Sequence, residues 1–262
     1  MEKTEYEVMA AVELDHWWYG GMRAINAALL DPVLRGKSGL RILDAGCGTG
    51  GDAVFLRRYG PVVGLDYSPE AGRLGGGRIP GMFTRGSVVA LPFADDSFDL
   101  VTSFDVLYHR AVPSEAEALA EARRVLRPGG RLLVRLPAYE FLRSRHDRQV
   151  HTRRRYTARA ARQILADAGF YVERMSYALS LLFPIPLAQR LLERLTPDRG
   201  DESAMATPSP LVNAALRWPM ALEAAWLDMG GTFPFGLSII CLAHSGKIAR
   251  IVPPQARKRK RL

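Results

Sequence analysis

The stretch LDAGCGTGGDAV, residues 43–54, places four glycines between positions 46 and 51. A short apolar run, RIL, leads into it, and the helix-like segment VFLRRYG overlaps its end. A glycine-rich turn between a strand and a helix lets the backbone approach a ligand closely, because glycine has no side chain and accepts positive φ angles. The sequence therefore predicts a ligand site where the first strand of an α/β unit ends.

Strand-like and helix-like segments alternate through the chain, as is typical of a parallel sheet with helices on both faces. A helical pattern over 1–36 is expected to break at Gly20 and Gly21, and a helix over 115–130 is expected to stop at its Pro-Gly-Gly end. Thr157 is a plausible N-cap. The other expected elements are strands at 40–46, 61–68, 98–109 (running into a loop), 131–137, 170–179 and 236–244, and helices at 52–60, 69–78, 158–168 and 211–229.

Composition favours a globular protein of the cytoplasm. Of the 262 residues, 48% are hydrophobic, which is enough for a full core, and two cysteines do not resemble a disulfide framework. The acidic start MEKTEYEVM is neither a secretory signal nor an Arg-rich transit peptide. The uncharged run Tyr177–Gln189 is too short to cross a bilayer, which takes about 20 residues. We therefore predict a cytoplasmic location, with peripheral contact to a membrane as an alternative.

The net charge of +9 raises the question of a nucleic-acid partner. Five of the positive charges lie in RKRKR, residues 257–261, so the excess is concentrated in a basic tail. Such a tail contacts phosphates or an anionic membrane, or is simply a solvated end. No RNA-binding module is visible in the sequence. We therefore expect a small-molecule partner rather than nucleic acid, with a membrane surface as a second partner through the tail or an apolar insertion.

The spacing of the glycine turn narrows the choice of ligand. Gly46-x-Gly48-x-Gly50 differs from the G-x-G-x-x-G of dinucleotide sites, and no Gly-Lys-Ser/Thr follows for a triphosphate. Asp44 would repel a pyrophosphate but can accept hydrogen bonds from an ammonium group. Asp66, about 20 residues further on, stands where a carboxylate bonds ribose hydroxyls. An amino acid joined to a nucleoside satisfies both carboxylates.

Four successive motifs carry a resemblance to a known family. They are DAGCGTG (44–50), GLDYS (64–68), LPFADDSFD (91–99) and RVLRPGG (124–130). In this order and at these intervals they resemble the motifs of the class I S-adenosylmethionine-dependent methyltransferases, most closely the type 11 group. The resemblance covers residues 38–140. It implies an α/β, Rossmann-like three-layer sandwich with a mostly parallel seven-stranded sheet, to which the chain adds an N-terminal helical cap and a helical insertion before the last strand.

The pattern of strands, helices and charges, together with the resemblance, predicts a domain plan. Residues 1–36 would form the helical cap over the cofactor. Residues 37–179 and 236–246 would form the Rossmann-like domain. Residues 180–235 would be a helical insertion or acceptor lid, and 247–262 the basic tail.

S-adenosylmethionine is the cofactor that the resemblance implies, with S-adenosylhomocysteine as product and no metal. Asp44, Gly46 and Gly48 would line its methionine and ribose, and Asp66 would bind the ribose hydroxyls. Other family members commonly have Asp or Asn where this chain has Ser87, so adenine recognition would rest more on the Val88 backbone. The remaining implied contacts are Tyr67 with adenine, Phe104 under the methionine tail, Arg23 with the carboxylate and Tyr19 beside it.

Methyl transfer from a sulfonium requires mainly that the acceptor be positioned and, for a hydroxyl, deprotonated. Ligands of open α/β sheets bind outside the carboxyl ends of the strands. Tyr108, His109 and Tyr139 follow two such strands and are the candidate catalytic residues. His109 is the preferred general base, because the ordinary pKa of histidine lies near neutrality. A purely structural role for His109 is the alternative.

The segment RSRHDRQVHTRRRY, residues 143–156, is the candidate acceptor-binding segment. Its His146, Asp147 and His151 lack the spacing and the further ligands of a metal site. Arginines instead suit a phosphate or carboxylate on the acceptor, or form a solvated basic turn. The acceptor-binding candidates are His146, Arg153, Arg154, Arg155 and Tyr156.

The insertion suggests an apolar lid over the acceptor, or a helical pair that buries its own core. Its large apolar residues are Phe183, Leu191, Leu192, Trp218, Trp226, Phe233 and Phe235. A lid of this kind would fit a lipid, an isoprenoid or an aromatic molecule. The sequence thus predicts a methyltransferase that acts on a small molecule with an apolar part and an anionic group.

Two alternatives remain open at this point. One is a nucleic-acid methyltransferase, although SFDVLYH lacks the Pro-Pro-aromatic loop of the amino-methylating DNA enzymes, and Cys47 and Cys241 are not placed as nucleophiles. The other is a protein that binds S-adenosylmethionine on this fold and catalyses a different reaction. The acceptor, the methylated atom and the oligomeric state are not determined by the sequence.

Overall fold

A seven-stranded sheet forms the centre of the protein. The structure is a computed structural model, and it describes residues 3–195 and 208–246. The strands are β1 (Ile42–Ala45), β2 (Val62–Asp66), β3 (Phe83–Arg85), β4 (Phe98–Phe104), β5 (Leu126–Pro137), β6 (Tyr171–Ala178) and β7 (Ser238–His244). The helices are α1 (Lys3–Val12), α2 (Trp17–Leu34), α3 (Gly51–Leu56), α4 (Pro69–Gly75), α5 (Glu115–Val125), α6 (Arg145–Gln149), α7 (Ala158–Asp167), α8 (Pro184–Leu195) and α9 (Pro210–Asp228), with a 3-10 turn at Glu140–Leu142.

The strand order is β3-β2-β1-β4-β5-β7-β6. The pairs from β3 to β5 are parallel, whereas β7 is antiparallel to both β5 and β6. Buried apolar side chains form a core on each face of the sheet, and all four residues of β1 are buried, as expected of a strand covered on both faces. The fold-class prediction, a Rossmann-like sandwich with a mostly parallel sheet of seven strands, is confirmed.

The expected break in the N-terminal helix at Gly20 and Gly21 is wrong. Helix α2 runs through both glycines, and the chain instead turns at residues 13–16, where the His16 ring accepts a hydrogen bond from the Trp18 amide. Gly21 is required by packing, because a Cβ at that position would lie 2.6 Å from the Met220 side chain of α9. Tertiary contact therefore outweighs the low helix propensity of glycine here.

The predicted end of the fifth helix is also wrong. Helix α5 ends at Val125, and β5 begins at Leu126 and continues through Pro128, Gly129 and Gly130. Pairing of Phe98 on β4 with Leu126 extends the strand backwards, with an irregular register before the regular pairing resumes at Leu100. In contrast, the expected cap of α7 is confirmed, since the Thr157 side chain accepts from the Ala160 amide at 3.2 Å.

The insertion supplies α8 and α9. Helix α9 lies parallel to α2 and buries Met220, Glu223, Ala224 and Leu227. The Arg174 guanidinium on β6 donates to the carbonyls of Ala28 on α2 and Leu227 on α9, so it ties both helices to the sheet. The predicted tail at 247–262 and most of the predicted loop at 196–210 lie outside the described residues. None of the helices in the described part is long and apolar enough to cross a membrane.

Candidate functional site

A cavity of about 690 Å³ lies across the carboxyl ends of β1, β2, β4 and β5, a volume within the usual range for small-molecule sites. It brings together thirteen of the eighteen residues predicted for the site. They are Tyr19, Asp44, Gly46, Gly48, Asp66, Tyr67, Ser87, Val88, Phe104, Tyr108, His109, His146 and Arg155. The other five, Arg23, Tyr139, Arg153, Arg154 and Tyr156, are not among the described residues that line it.

The glycine turn has the backbone that its sequence predicted. Gly46, Gly48 and Gly50 all have positive φ angles, of 89°, 51° and 86°. The amides of Gly46 and Cys47 donate to the Leu65 carbonyl at 2.7 and 2.9 Å, which fixes the turn against β2. A Cβ on Gly46 would collide with the Val106 side chain. The turn therefore exposes bare backbone to the cavity, and a larger residue cannot replace Gly46.

The Asp66 carboxylate is held at the end of β2 by backbone donors. Its two oxygens each accept one amide hydrogen bond, from Gly48 and Ser68, both at 2.9 Å. Burial raises the pKa of Asp66, and these two amides oppose that shift. The Tyr6 hydroxyl also bonds Asp66. A carboxylate has about four acceptor positions, so Asp66 retains capacity for a further donor from a ligand, and for two where the ligand displaces Tyr6. This is the arrangement that a pair of neighbouring hydroxyl groups needs.

Asp44 lies deeper, on β1, and one of its oxygens lacks a partner. Oδ1 accepts from the Thr102 hydroxyl at 2.7 Å, whereas Oδ2 is buried without a hydrogen bond among the described residues. Burial, followed by the charge of Asp52, raises the pKa of Asp44 to about 7. An orphaned buried acceptor is costly, and a cationic donor such as an ammonium group would satisfy it. Asp44 is thus suited to the head of an amino-acid ligand.

Arg135 is a site residue that the sequence analysis missed. Its guanidinium is 3% exposed, donates to Asp105 Oδ2 at 2.6 Å and lies 3.9 Å from Asp52. The rings of Trp18 and Phe104 cover it at centroid distances of 5.0 and 4.9 Å. The signal in the sequence was a single arginine inside the otherwise apolar strand RLLVRLP. Arg135 balances two carboxylates beside the cavity.

Helix α1 closes the cavity over the glycine turn. Glu13, which follows α1, accepts hydrogen bonds from the Thr49 hydroxyl and the Arg78 guanidinium. Arg78 also donates to the Ala10 carbonyl at 2.6 Å. The Met9 methyl would lie 2.9 Å from a Cβ on Gly48. The N-terminal helix is therefore seated directly on the turn through contacts that the sequence analysis did not predict.

Arg23 holds the segment after α1 rather than facing the cavity. Its guanidinium donates to the carbonyls of Glu13 and Leu14 at 2.9 and 3.1 Å. The predicted contact of Arg23 with a ligand carboxylate stays a prediction. Tyr19, the predicted neighbour, does line the cavity and is buried.

The candidate catalytic residues divide into two groups. Tyr108 and His109 line the cavity, whereas the Tyr139 ring is stacked between Phe141 and Tyr177 at centroid distances of 5.2 and 5.1 Å. Burial, with smaller effects from neighbouring charges and His151, lowers the pKa of His109 to about 4. Burial also raises the pKa of Tyr108 well above its ordinary value. Both rings are therefore neutral near pH 7.

The hydrogen bond at His109 determines which ring nitrogen carries the proton. Nδ1 of His109 accepts from the Ala111 amide at 3.0 Å. In a neutral imidazole whose Nδ1 is an acceptor, the proton resides on Nε2. His109 therefore presents a donor at Nε2. This tautomer suits stabilisation of an oxyanion better than the general-base role expected from the sequence.

The arginines of the acceptor-binding segment are largely engaged within the protein. Arg153 and Arg154 both pair with the buried carboxylate of Glu115, and the Tyr156 hydroxyl donates to the same carboxylate at 2.6 Å. This cluster fixes the start of α5 and leaves the three residues away from the cavity. Their predicted contact with an acceptor stays a prediction.

Arg155 and His146 do reach the cavity. Arg155 makes two hydrogen bonds to Asp147, at 2.8 and 3.1 Å, and both side chains are buried. Burial lowers the pKa of His146. Leu179 and Leu237 border this end, and α8 contributes Arg190. The wall thus combines apolar surface with histidines and arginines, although Asp147 neutralises one arginine.

Helix α9 does not line the cavity in the described structure, and the predicted apolar lid stays a prediction. None of the cavity-lining residues in the described ranges belongs to that helix, and Trp218 and Trp226 are exposed on its outer side. The side chains of Leu191 and Leu192 lie outside the described part of the structure. Within residues 3–195 and 208–246, no group of three or more His, Cys, Asp or Glu side chains could hold a metal ion.

The part of the sequence that forms one end of the cavity matches a known protein family. Residues 43–134 match a family model described as a methyltransferase domain. The chain is 32% identical over 216 residues to an uncharacterized 37.1 kDa protein in a transposon of Streptomyces fradiae, covering 75% of this chain and 61% of that protein. It is 44% identical over 99 residues to the demethylmenaquinone methyltransferase of Renibacterium salmoninarum, covering 37% and 40%. The chain therefore spans less than two thirds of these relatives.

Among solved structures, the chain is similar in fold to a geranyl diphosphate C-methyltransferase from Streptomyces coelicolor, crystallised with S-adenosyl-L-homocysteine. The TM-score is 0.55 at 15% identity, and the alignment covers 84% of this chain and 75% of the other. At this level of identity the likeness concerns the fold.

Proposed function

We propose that this chain, which matches the methyltransferase domain model over residues 43–134, transfers a methyl group from S-adenosylmethionine to a small molecule. The proposed acceptor joins an apolar part to an oxyanion or another anionic group. The observation that carries the proposal is the single cavity that connects the Asp44–Asp66 end to the His109–Arg155 end. Donor and acceptor can therefore meet inside it.

The residues of the glycine turn fit S-adenosylmethionine, which consists of an amino-acid head, a ribose and an adenine. The unpartnered oxygen of Asp44 suits the ammonium group, and the remaining acceptor capacity of Asp66 suits the ribose hydroxyls. The bare backbone at Gly46 and Gly48 gives the room that close approach requires. When bound, the cofactor supplies a methyl group on a sulfonium, which is already activated for displacement.

The other end of the cavity is suited to orient an acceptor. The Nε2 proton of His109 can donate to a negatively charged oxygen, and this donation favours acceptors that ionise readily, such as a phenol or an enol. Burial of Tyr108 keeps its hydroxyl protonated, so it can donate in the same way. We assign both side chains to binding and orienting the reacting group.

The apolar part of the acceptor is supported by the lining and by the relatives. Val112, Val150, Leu179 and Leu237 provide an apolar wall beside the polar groups of His146 and Arg155. Demethylmenaquinone and geranyl diphosphate, named as substrates of the two methyltransferases above, each combine an apolar part with a polar or anionic one. A molecule of this general kind is the proposed acceptor class, acting in the cytoplasm or at a membrane surface.

The test uses methyl-labelled S-adenosylmethionine and a lysate of the source organism, separated into polar small molecules, lipids, protein and nucleic acid. The expected result is label in the lipid or small-molecule fraction. An Asp66→Ala variant is expected to label no fraction. Label in nucleic acid would overturn the proposed acceptor class. Calorimetric titration with S-adenosylhomocysteine runs in parallel, and tight binding without any labelled fraction would favour a reaction other than methyl transfer.

A further inference from the structure

Helix α9 exposes a row of apolar side chains on the side turned away from α2. Leu211, Trp218, Leu222, Trp226 and Met229 are 84%, 72%, 57%, 48% and 74% exposed. Their spacing of three, four and seven residues places them along one side of the helix. The opposite side is buried against α2 and is also mostly apolar. A helix with apolar side chains on two opposite sides is normally covered on both, so the outer row indicates a binding surface.

Further exposed apolar residues lie on two segments that are hydrogen-bonded beside α9. The Leu181 amide donates to the buried Glu223 of α9 at 2.6 Å, and Leu181 and Ile185 are exposed. The Ser180 hydroxyl donates to the carbonyl of Phe235 at 2.5 Å, and Phe235 is half-exposed. We call the outer row at α9 the apolar face: Leu211, Trp218, Leu222, Trp226 and Met229.

Segments beside the apolar face contribute to the wall of the cavity. Leu179, Arg190 and Leu237 line the cavity and belong to the same two chain segments as Leu181, Ile185 and Phe235. These two segments therefore connect the wall of the cavity with the surface beside α9.

The charge of the chain distinguishes between the partners that could cover this face. The described structure ends at Gly246, just after β7, whose His244 pairs with Tyr171 of β6. The same strand carries Arg174, which holds the end of α9 through the Leu227 carbonyl. The five cations at 257–261 are at most 15 residues from Gly246, a contour length of about 50 Å. They can therefore reach a surface that the face contacts.

We propose that the apolar face and the basic tail together dock the protein on an anionic lipid bilayer. Apolar side chains with two tryptophans suit the interfacial region, and basic residues near an anionic leaflet add electrostatic attraction. A second copy of the chain is the less favoured occupant, because it would bring together two molecules with a net charge of +9. The docking itself does not rest on the proposed function.

The experiment is co-sedimentation of the full chain with vesicles of phosphatidylcholine alone or with phosphatidylglycerol added. The expected result is binding to the phosphatidylglycerol vesicles that weakens at high salt. The double variant Trp218→Ser/Leu222→Ser is expected to reduce the affinity at least tenfold. Replacement of all five cations at 257–261 by Gln is expected to reduce it similarly and to remove the salt dependence.

Phe141→Ser is the matched control, because Phe141 is 54% exposed but lies outside the apolar face. Equal binding of the wild-type chain and the double variant, or no binding of the wild-type chain, would overturn the proposal. So would a dimer in light scattering that the double variant dissociates without any binding to vesicles. Titration with S-adenosylhomocysteine on the same preparations separates a failure of docking from a failure of the proposed function.

Discussion

The Arg135 guanidinium and the Asp105 carboxylate form an ion pair of 2.6 Å beside the cavity, at neighbouring strand ends. Phe104 pairs in register with Arg135, so Asp105 follows directly after that pairing, with a φ of 60°. Trp18 covers the pair from α2. This single contact therefore joins β4, β5 and the N-terminal helices at the site, and it fixes the loop that leads to Tyr108 and His109.

Replacement of Arg135 by Met is expected to lower the free energy of unfolding by about 1–3 kcal/mol, because it leaves two partly buried carboxylates without their counter-charge. Denaturant titration measures this loss. The control is Arg131→Met on the same strand, whose partner Glu173 lies at 3.1 Å and whose side chain is 21% exposed. That pair is expected to contribute less than about 1 kcal/mol. Similar losses in the two variants would show that the Arg135 ion pair contributes no more to stability than the Arg131–Glu173 pair.

Asp44→Asn is expected to stabilise the ligand-free protein at pH 8 and to weaken cofactor binding at least tenfold. The folded pKa of Asp44 is about 7, above its ordinary value of 3.8. The folded state then binds a proton that the unfolded state has lost, so this carboxyl group reduces stability as the pH rises from about 4 to 7. The expected gain at pH 8 is roughly 1–3 kcal/mol. At pH 4 the two proteins should unfold alike, which provides the internal control.

The backbone of the glycine turn and the position of Asp66 were predictable because their requirements are local. Positive φ angles at Gly46 and Gly48 require glycine, and a carboxylate at the end of β2 appears in the sequence as Asp66 at a fixed interval. These demands act within a few residues of chain. Arg135 could not be found in the same way, because its role comes from Asp105 and from Trp18, which are distant in sequence.

The acceptor end was less predictable for the same reason. Three consecutive arginines in the sequence suggested an anion site, but Glu115 engages Arg153 and Arg154, and Asp147 engages Arg155. Glu115, the partner of Arg153 and Arg154, lies almost forty residues away in the sequence, so no local sequence pattern predicts this pairing. Charge runs read alone therefore overestimate how many cations are available to a ligand.

Glu115→Gln is expected to lower the free energy of unfolding by about 2–4 kcal/mol, because one buried carboxylate serves Arg153, Arg154 and the Tyr156 hydroxyl. Thermal or denaturant unfolding measures the loss. Combining it with Arg154→Gln should cost less than the sum of the two single changes, since they remove the same interaction. Additive losses, together with a raised acceptor KM for Arg154→Gln alone, would instead support the predicted contact with the acceptor.

The pH dependence of methyl transfer tests the role of His109. With a folded pKa of about 4, His109 stays neutral above pH 5. The pH profile of kcat/KM should therefore have the same shape near pH 6.5 in the wild-type chain and in the His109→Gln variant. In the unfolded state His109 has its ordinary pKa of about 6.5, so the unfolded state takes up a proton at a higher pH than the folded state does. The contribution of His109 to the free energy of unfolding is therefore lost as the pH falls from about 6.5 towards 4. His109→Gln should therefore reduce the acid sensitivity of unfolding. An inflection near 6.5 that disappears in the variant would restore the general-base role.

Adjacent glycines in α2 provide a matched pair that tests the packing of α9. A Cβ on Gly21 would lie 2.6–2.7 Å from three atoms of Met220, whereas a Cβ on Gly20 would have no atom within 4 Å. Both positions are helical, so alanine should gain up to about 1 kcal/mol of helix stability at Gly20. At Gly21 the collision with Met220 should outweigh that gain and cost about 1–3 kcal/mol. Combining Gly21→Ala with Met220→Ala should recover part of the loss. If denaturant titration gives the same stability for Gly20→Ala and Gly21→Ala, α9 does not rest on α2 as described.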